Sequence, residues 1–133
     1  MLESDYPYTP TEDLCSYDAT KGLLNVVSYK QISGTTSAMK DAVWQQPCAV
    51  AIDGGSRTFQ TYTSGIITTS RCGTRLNHAV TIVGYGSNFG IVKNSWGTSW
   101  GESGYVRIGT GTGTGSGICG INSKVMSATV LSV

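Results

Sequence analysis

His78 is the only histidine in the chain. A lone histidine is by default a structural or exposed residue, so its neighbours decide what chemistry it could do. Asn77-His78-Ala79-Val80 opens an apolar run that ends in Gly84-Tyr85-Gly86, and Lys93-Asn94-Ser95-Trp96-Gly97 ends the next run. Two neighbouring antiparallel strands bring a histidine at one end beside an asparagine at the other. The asparagine carbonyl can then accept the imidazole N–H, which fixes the tautomer and the ring plane. This is the base-and-orienter part of a nucleophile, base and orienter arrangement. The four cysteines are Cys15, Cys48, Cys72 and Cys119. They form no C-x-x-C pair and have one histidine to work with, which argues against a zinc site; no metal and no cofactor is expected. If all four paired with one another, three connectivities would be open.

The elements that must position these residues follow from pattern. Residues 79–85 alternate, with Val80 and Ile82 on one side and Ala79, Thr81 and Val83 on the other. Asn88-Phe89-Gly90 reads as a turn into a strand over 91–94, and further strands are predicted over 48–52, 64–69 and 104–108. Residues 23–29 read as a strand with imperfect alternation, and residues 127–130 can close the sheet. One helix is predicted, over 37–46, where Met39 and Val43 share a face and Pro47 supplies the stop. Tyr6-Pro7-Tyr8-Thr9-Pro10 is extended, because each proline pushes its predecessor out of the helical region. Residues 109–117 alternate Gly with Thr or Ser and read as a loop. A phosphate cradle would need a following helix and usually a Lys, and Ile118-Cys119-Gly120 follows instead. The expected fold class is mostly β with one or two helices, in a closed or nearly closed antiparallel sheet.

Composition agrees with this. Charged residues make up 13% of the chain, against a usual value of about 25%, and there are eighteen glycines to serve tight turns. Few charges with many Gly, Ser and Thr suggest an extracellular or lumenal β-rich domain. The net charge of +1 and the lack of a basic run exclude a nucleic-acid or anionic-lipid surface. No apolar stretch approaches the roughly 20 residues needed to span a bilayer. Met1-Leu2-Glu3-Ser4-Asp5 does not read as a signal peptide, so either a targeting segment was removed or the chain is a piece of something longer.

The sequence resembles the papain-like, cathepsin L-like cysteine proteases. Asn77 to Gly86 is similar to that family's histidine motif, and Val92-Lys93-Asn94-Ser95-Trp96-Gly97-Thr98-Ser99-Trp100-Gly101-Glu102-Ser103-Gly104-Tyr105-Val106-Arg107-Ile108 to its asparagine motif. Tyr6-Pro7-Tyr8 with Cys15, Gln46-Pro47 and Cys119-Gly120-Ile121 also stand where the family has them, so the resemblance runs from about Leu2 to the C-terminus. It implies that residues 1–133 are the C-terminal, β-barrel-like lobe of a two-domain endopeptidase. His78 would be the base and Asn94 its orienter. Trp96 would shield the His–Asn hydrogen bond, unless it is ordinary core packing, and Trp100 would lie near the primed side of the cleft. Asn77 and Ala79 would flank a peptide or protein substrate, with Ala51 and Ala79 lining the S2 pocket. Lys124 falls near the far end of that pocket and would favour an acidic P2 side chain, unless it is simply solvated. Cys72 and Cys119 would form a disulfide, Cys15 would pair with the other half of the protease, and Cys48 reads as a buried free thiol. The family's setting implies a lysosomal, vacuolar or secreted protein.

The family's nucleophile signature, C-G-[SA]-C-[WY], places its cysteine about 130–150 residues before the His and Asn. It does not occur here, and only 77 residues precede His78. The oxyanion-hole Gln would also come from the helical N-terminal lobe, which becomes the expected partner. The chain alone is expected to be inactive. The competing expectation is a non-catalytic binding or assembly module built from an isolated lobe and dimerising through its exposed cleft face.

Overall fold

A computed structural model describes residues 1–111 and 115–132. Residues 112–114, inside the Gly-Thr tract expected to be a loop, lie outside the described residues. The chain divides into two compact units, Met1–Tyr29 with the C-terminal end from Ala128, and Lys30–Ser127. Among the described residues seven strands form one sheet: β1 (Leu24–Ile32), β2 (Cys48–Ile52), β3 (Ile66–Ile67), β4 (His78–Tyr85), β5 (Phe89–Lys93), β6 (Tyr105–Gly109) and β7 (Val125–Ser132). Their order is β1-β7-β2-β4-β5-β6-β3. Among the described residues there are two α-helices, α1 (Thr36–Gln45) and α2 (Arg57–Gln60). The mostly-β expectation with one or two helices is met.

The sheet itself corrects the expectation of a closed antiparallel arrangement. It is open, with β1 and β3 at its edges, and it is mixed, because β3 runs parallel to β6. The predicted strand over 64–69 shrinks to two residues. Gly65 takes φ +90° before it, and residues Ser70–Cys72 turn into a 3₁₀ turn capped by the Thr69 side chain. Phe89 and Gly90 belong to β5 rather than to a turn, and β7 is longer than the predicted 127–130.

The second unit holds the core. In β2 the side chains of Cys48, Val50 and Ile52 are buried, and the smaller Ala49 and Ala51 face the other way. In β4 Val80 and Ile82 point the same way, while Ala79 and Val83 are exposed. Val92 of β5 and Val106 and Ile108 of β6 complete the buried layer. Helix α1 covers it with Met39 and Val43, the two positions expected to share its inner face. Thr35 caps the helix, accepting a hydrogen bond from the Ala38 N–H at 3.2 Å. Pro47 follows as a stop, since it cannot donate an intrahelical bond. The β4–β5 pair is regular from Thr81↔Lys93 to Ile82↔Val92 and then shifts register between Ile82 and Gly84, a bulge that strengthens local twist.

The first unit is mainly irregular. Its extended opening is tied by the Tyr6 hydroxyl, which accepts from the Ser16 N–H at 3.1 Å. A Lys21–Asp5 ion pair at 3.5 Å adds a second tie. Strand β1 has no fully buried residue over its whole length.

Candidate active site

The sheet delivers the two chemistry-bearing side chains to one end. His78 begins β4, and Asn94 directly follows the last residue of β5, the strand antiparallel to it. Because Thr81 pairs with Lys93, the start of one strand lies beside the end of the other. The His78 Nε2 and the Asn94 Oδ1 are 2.9 Å apart. An amide oxygen can only accept, so Nε2 carries the proton in this bond. The Asn94 oxygen also accepts from the Ser95 N–H at 2.9 Å, which fixes the amide plane. Asn94 is buried, and its Nδ2 has no partner among the described residues. In the neutral ring Nδ1 is then the basic nitrogen, and it makes no hydrogen bond among the described residues.

Aromatic rings brace the imidazole. Trp96 stacks on it, with centroids 5.0 Å apart and planes at 28°. Phe59 meets its edge at 5.9 Å and also packs on Trp96 and Trp100, at 5.3 and 4.9 Å. Trp96 keeps 41% of its surface exposed, so it covers the ring without being a core residue. Trp100 is half-buried, contacts Tyr62, and donates its indole N–H to the Gln60 carbonyl at 3.3 Å. Phe59 and the short helix that carries it escape sequence reading. Four residues are too few for a periodic pattern; the one available signal is Ser56, whose hydroxyl caps the helix by accepting from the Phe59 N–H.

The expected substrate-binding residues fall in two groups. Ala51 pairs with Ala79 across β2 and β4, and the Ala51 N–H donates to the Lys124 carbonyl at 3.1 Å. Ala79, Ala51 and Lys124 thus form one row over three chain segments, with Lys124 exposed. Asn77 precedes His78, and its side chain is turned back into the protein. Its Nδ2 donates to Asp53 Oδ1 at 3.1 Å, and its Oδ1 accepts from the Gly55 N–H at 3.0 Å. Its backbone N–H donates to the Ile52 carbonyl at 3.0 Å, and the residue stays exposed.

Nearby, Cys72 and Cys119 form the expected disulfide. Cys48 and Cys15 are free, one buried and one exposed. Burial pushes the Cys48 thiol up, against a smaller lowering by the Ser127 hydroxyl, so Cys48 is the less reactive thiol form at neutral pH. Beside the aromatic cluster, Arg107 makes two hydrogen bonds to Glu102, at 2.9 and 2.6 Å. Glu102 also accepts from the Gly65 N–H at 2.9 Å. The Arg107 bonds, and then that N–H, hold the Glu102 carboxyl down at about 2. Among the described residues no group of three or more His, Cys, Asp or Glu side chains could hold a metal ion. Among the described residues no helix is long and apolar enough to cross a membrane.

Comparison with known proteins places this geometry in a family. The papain family cysteine protease profile matches residues 1–129. Cysteine proteinase COT44 of Brassica napus is 47% identical over 125 residues, which is 90% of this chain and 38% of that protein. Zingipain-2 of Zingiber officinale is 41% identical, over 90% of this chain and 56% of its own length. Two solved structures superpose closely. The Carica candamarcensis protease CMS1MS2 with E-64 gives a TM-score of 0.85 at 35% identity, over 96% of this chain and 61% of that one. The bromelain protease of Ananas comosus with the E64 inhibitor gives 0.84 at 38% identity, with the same coverage. The chain therefore spans 38 to 61% of the length of these relatives. With its fold, its disulfide and its His–Asn pair on two neighbouring strands, the chain belongs to the papain family of cysteine proteases.

Proposed function

We propose that this chain is the C-terminal lobe of a papain-like cysteine endopeptidase and supplies two members of a Cys-His-Asn triad, His78 and Asn94. The observation that carries the reading is the 2.9 Å bond from His78 Nε2 to Asn94 Oδ1. It leaves Nδ1 as the base. In this reading Nδ1 takes the proton of a thiol from the N-terminal lobe, giving a thiolate and an imidazolium. The thiolate attacks the peptide carbonyl carbon, and the imidazolium returns the proton to the leaving amine. Asn94 holds the ring through both transfers, and Trp96 keeps water from the His–Asn bond. Two donors for the oxyanion, a Gln side chain and the nucleophile's own N–H, come with that lobe. Losing one such donor costs about 10²–10³ in rate, and losing the thiolate removes the covalent route, so the chain alone is inactive.

Substrate would lie against the Asn77 backbone and Ala79, with its P2 side chain between Ala51 and Ala79. The commitment of both Asn77 amide atoms to Asp53 and Gly55 supports contact through the main chain. Trp100 would border the primed side. Lys124, in the row with Ala51, would attract an acidic P2 group; a P2 scan of the assembled enzyme that shows no gain for Glu over Leu removes this part. Cys15 would bridge to the N-terminal lobe. The Cys72–Cys119 disulfide and the exposure of Cys15 support a vacuolar, lysosomal or secreted setting, where disulfides persist.

The test is to fold the chain together with the N-terminal lobe of a papain-family relative and follow hydrolysis of a Phe-Arg fluorogenic peptide. E-64-sensitive activity is expected only in the mixture, and His78→Ala is expected to remove about 10²–10⁴ of it, the usual worth of a positioned base. A co-folded mixture without such activity would leave the assembly-module reading standing instead.

A further inference from the structure

Asp53 stands at the turn after β2 and is 9% exposed. Among the described residues it makes no salt bridge. A buried carboxylate without a cation is costly unless its oxygens find donors. Its donors all come from the chain that leads into His78. Oδ2 accepts from the Arg75 N–H at 3.3 Å, and Oδ1 accepts from Asn77 Nδ2 at 3.1 Å. The Asn77 oxygen accepts in turn from the Gly55 N–H at 3.0 Å, and the Asn77 N–H donates to the Ile52 carbonyl at 3.0 Å. Residues 53–55 and residue 77 are thus closed into one clamp. The clamp is itself anchored, because the Asp53 N–H donates to the Cys119 carbonyl at 2.8 Å, beside the disulfide.

Gly54 sits inside this clamp, directly under His78. A Cβ at Gly54 would lie 2.6 Å from the His78 Cβ and 2.8 Å from its Cγ. The imidazole is therefore bounded on the near side by the backbone of the clamped turn, on one face by Trp96, and at Nε2 by Asn94. Gly73 packs equally close to the carboxylate, so any side chain there would strike Asp53 Oδ2. The loop between the two is shaped around a buried carboxylate rather than merely near one.

We propose that Asp53 is a positioning residue for His78, acting through Asn77 to set the height and rotamer of the imidazole. The proposal rests on the reading of His78 as the base, but its test does not need hydrolysis. His78 is the only imidazole in the chain, so its ring resonances are assigned without ambiguity. In the 133-residue chain, the ring nitrogen shifts report the tautomer, and exchange of the Nε2 proton reports how firmly Asn94 holds it. Asp53→Ala is expected to speed that exchange about tenfold, the worth of roughly one hydrogen bond, and to populate the second tautomer. Asn77→Ala is expected to do the same. The double variant should be no worse than Asn77→Ala alone, because the two act in series. Methyl resonances of Ile82 and Val92 report whether the core is intact. If Asp53→Ala fails to fold, Asp53→Asn takes its place, since its amide can serve Asn77 or Arg75 but not both. Unchanged ring signals in the Asp53 variant overturn the proposal, and so does full additivity with Asn77→Ala. In the assembled enzyme the same variants should lower kcat with little change in KM. Loss of the imidazole effects sinks the positioning role, whereas an active His78→Ala enzyme sinks the catalytic reading.

Discussion

Gly54 and Glu102 show how single residues bear on the candidate site without touching substrate. At Gly54 a side chain has no room, because its space is filled by the His78 Cβ and Cγ. Gly54→Ala should displace the imidazole by a few tenths of an ångström or more. A misplacement of about 1 Å can cost roughly 10²-fold in rate, so at least a tenfold fall, about that order, is expected in the assembled enzyme, with the fold intact by circular dichroism. Glu102 acts through charge. Its carboxyl is held at about 2 rather than 4.5 by the Arg107 bonds and the Gly65 N–H. A carboxylate depressed by folding stabilises the folded state above its unfolded value, and that contribution fades as pH falls towards the folded value. Wild type should therefore exceed Glu102→Gln in urea midpoint at pH 6. The gap should narrow between pH 4.5 and about 2. An equal gap at pH 6 and pH 2.5 would contradict this. The His–Asn pair was legible at this scale because two long motifs surround it. Asp53 and Phe59 were not, since an Asp before two glycines reads as an ordinary turn and a lone Phe reads as core.

At the scale of elements, the Cys72–Cys119 disulfide joins two 3₁₀ turns separated by 47 residues. Closing a loop of that length is worth about 4 kcal/mol by the chain-entropy estimate. The Cys72→Ser, Cys119→Ser variant should lose stability of that order in chemical denaturation. It should also loosen the Asp53 turn, whose N–H bonds to the Cys119 carbonyl; faster exchange of that amide checks it. Strand β1 presents a different case. It lies at a sheet edge and exposes Leu24, Val26, Val27 and Tyr29 by 61, 67, 53 and 74%. Unprotected apolar edges template association, and a lysine there blunts it. Val26→Lys should raise the concentration at which light scattering begins. The strands legible in the sequence are β2, an apolar run, β4, with its alternation, and β6, each within a residue of its expected bounds. The reading failed where one or two residues decide the geometry: the short α2, the two-residue β3 and the Phe89–Gly90 start of β5.

For the whole molecule, the exposed apolar residues are concentrated in the first unit and in β1, with Leu14 at 86% and Tyr8 at 81%. The chain spans 61% of the solved structures it matches. Alone, it should associate as concentration rises in sedimentation velocity, and addition of an N-terminal lobe should suppress this. A monomer at all accessible concentrations would contradict the expectation. The amino-acid sequence by itself determined the family, the mostly-β class, the shared faces of β4 and α1, and the His78–Asn94 pair. These are local or motif-borne: alternation and helical period follow from backbone geometry, and the motifs are continuous. Tertiary structure alone decided that the sheet is open and mixed, that Phe59 meets the imidazole edge, and that Asp53 and Gly54 shape its seat. Those contacts join residues 19 to 24 positions apart, and contact at such distance depends on strand order and on how the loops close, which no local pattern encodes. The histidine was therefore visible as a residue, and its cradle only as a fold.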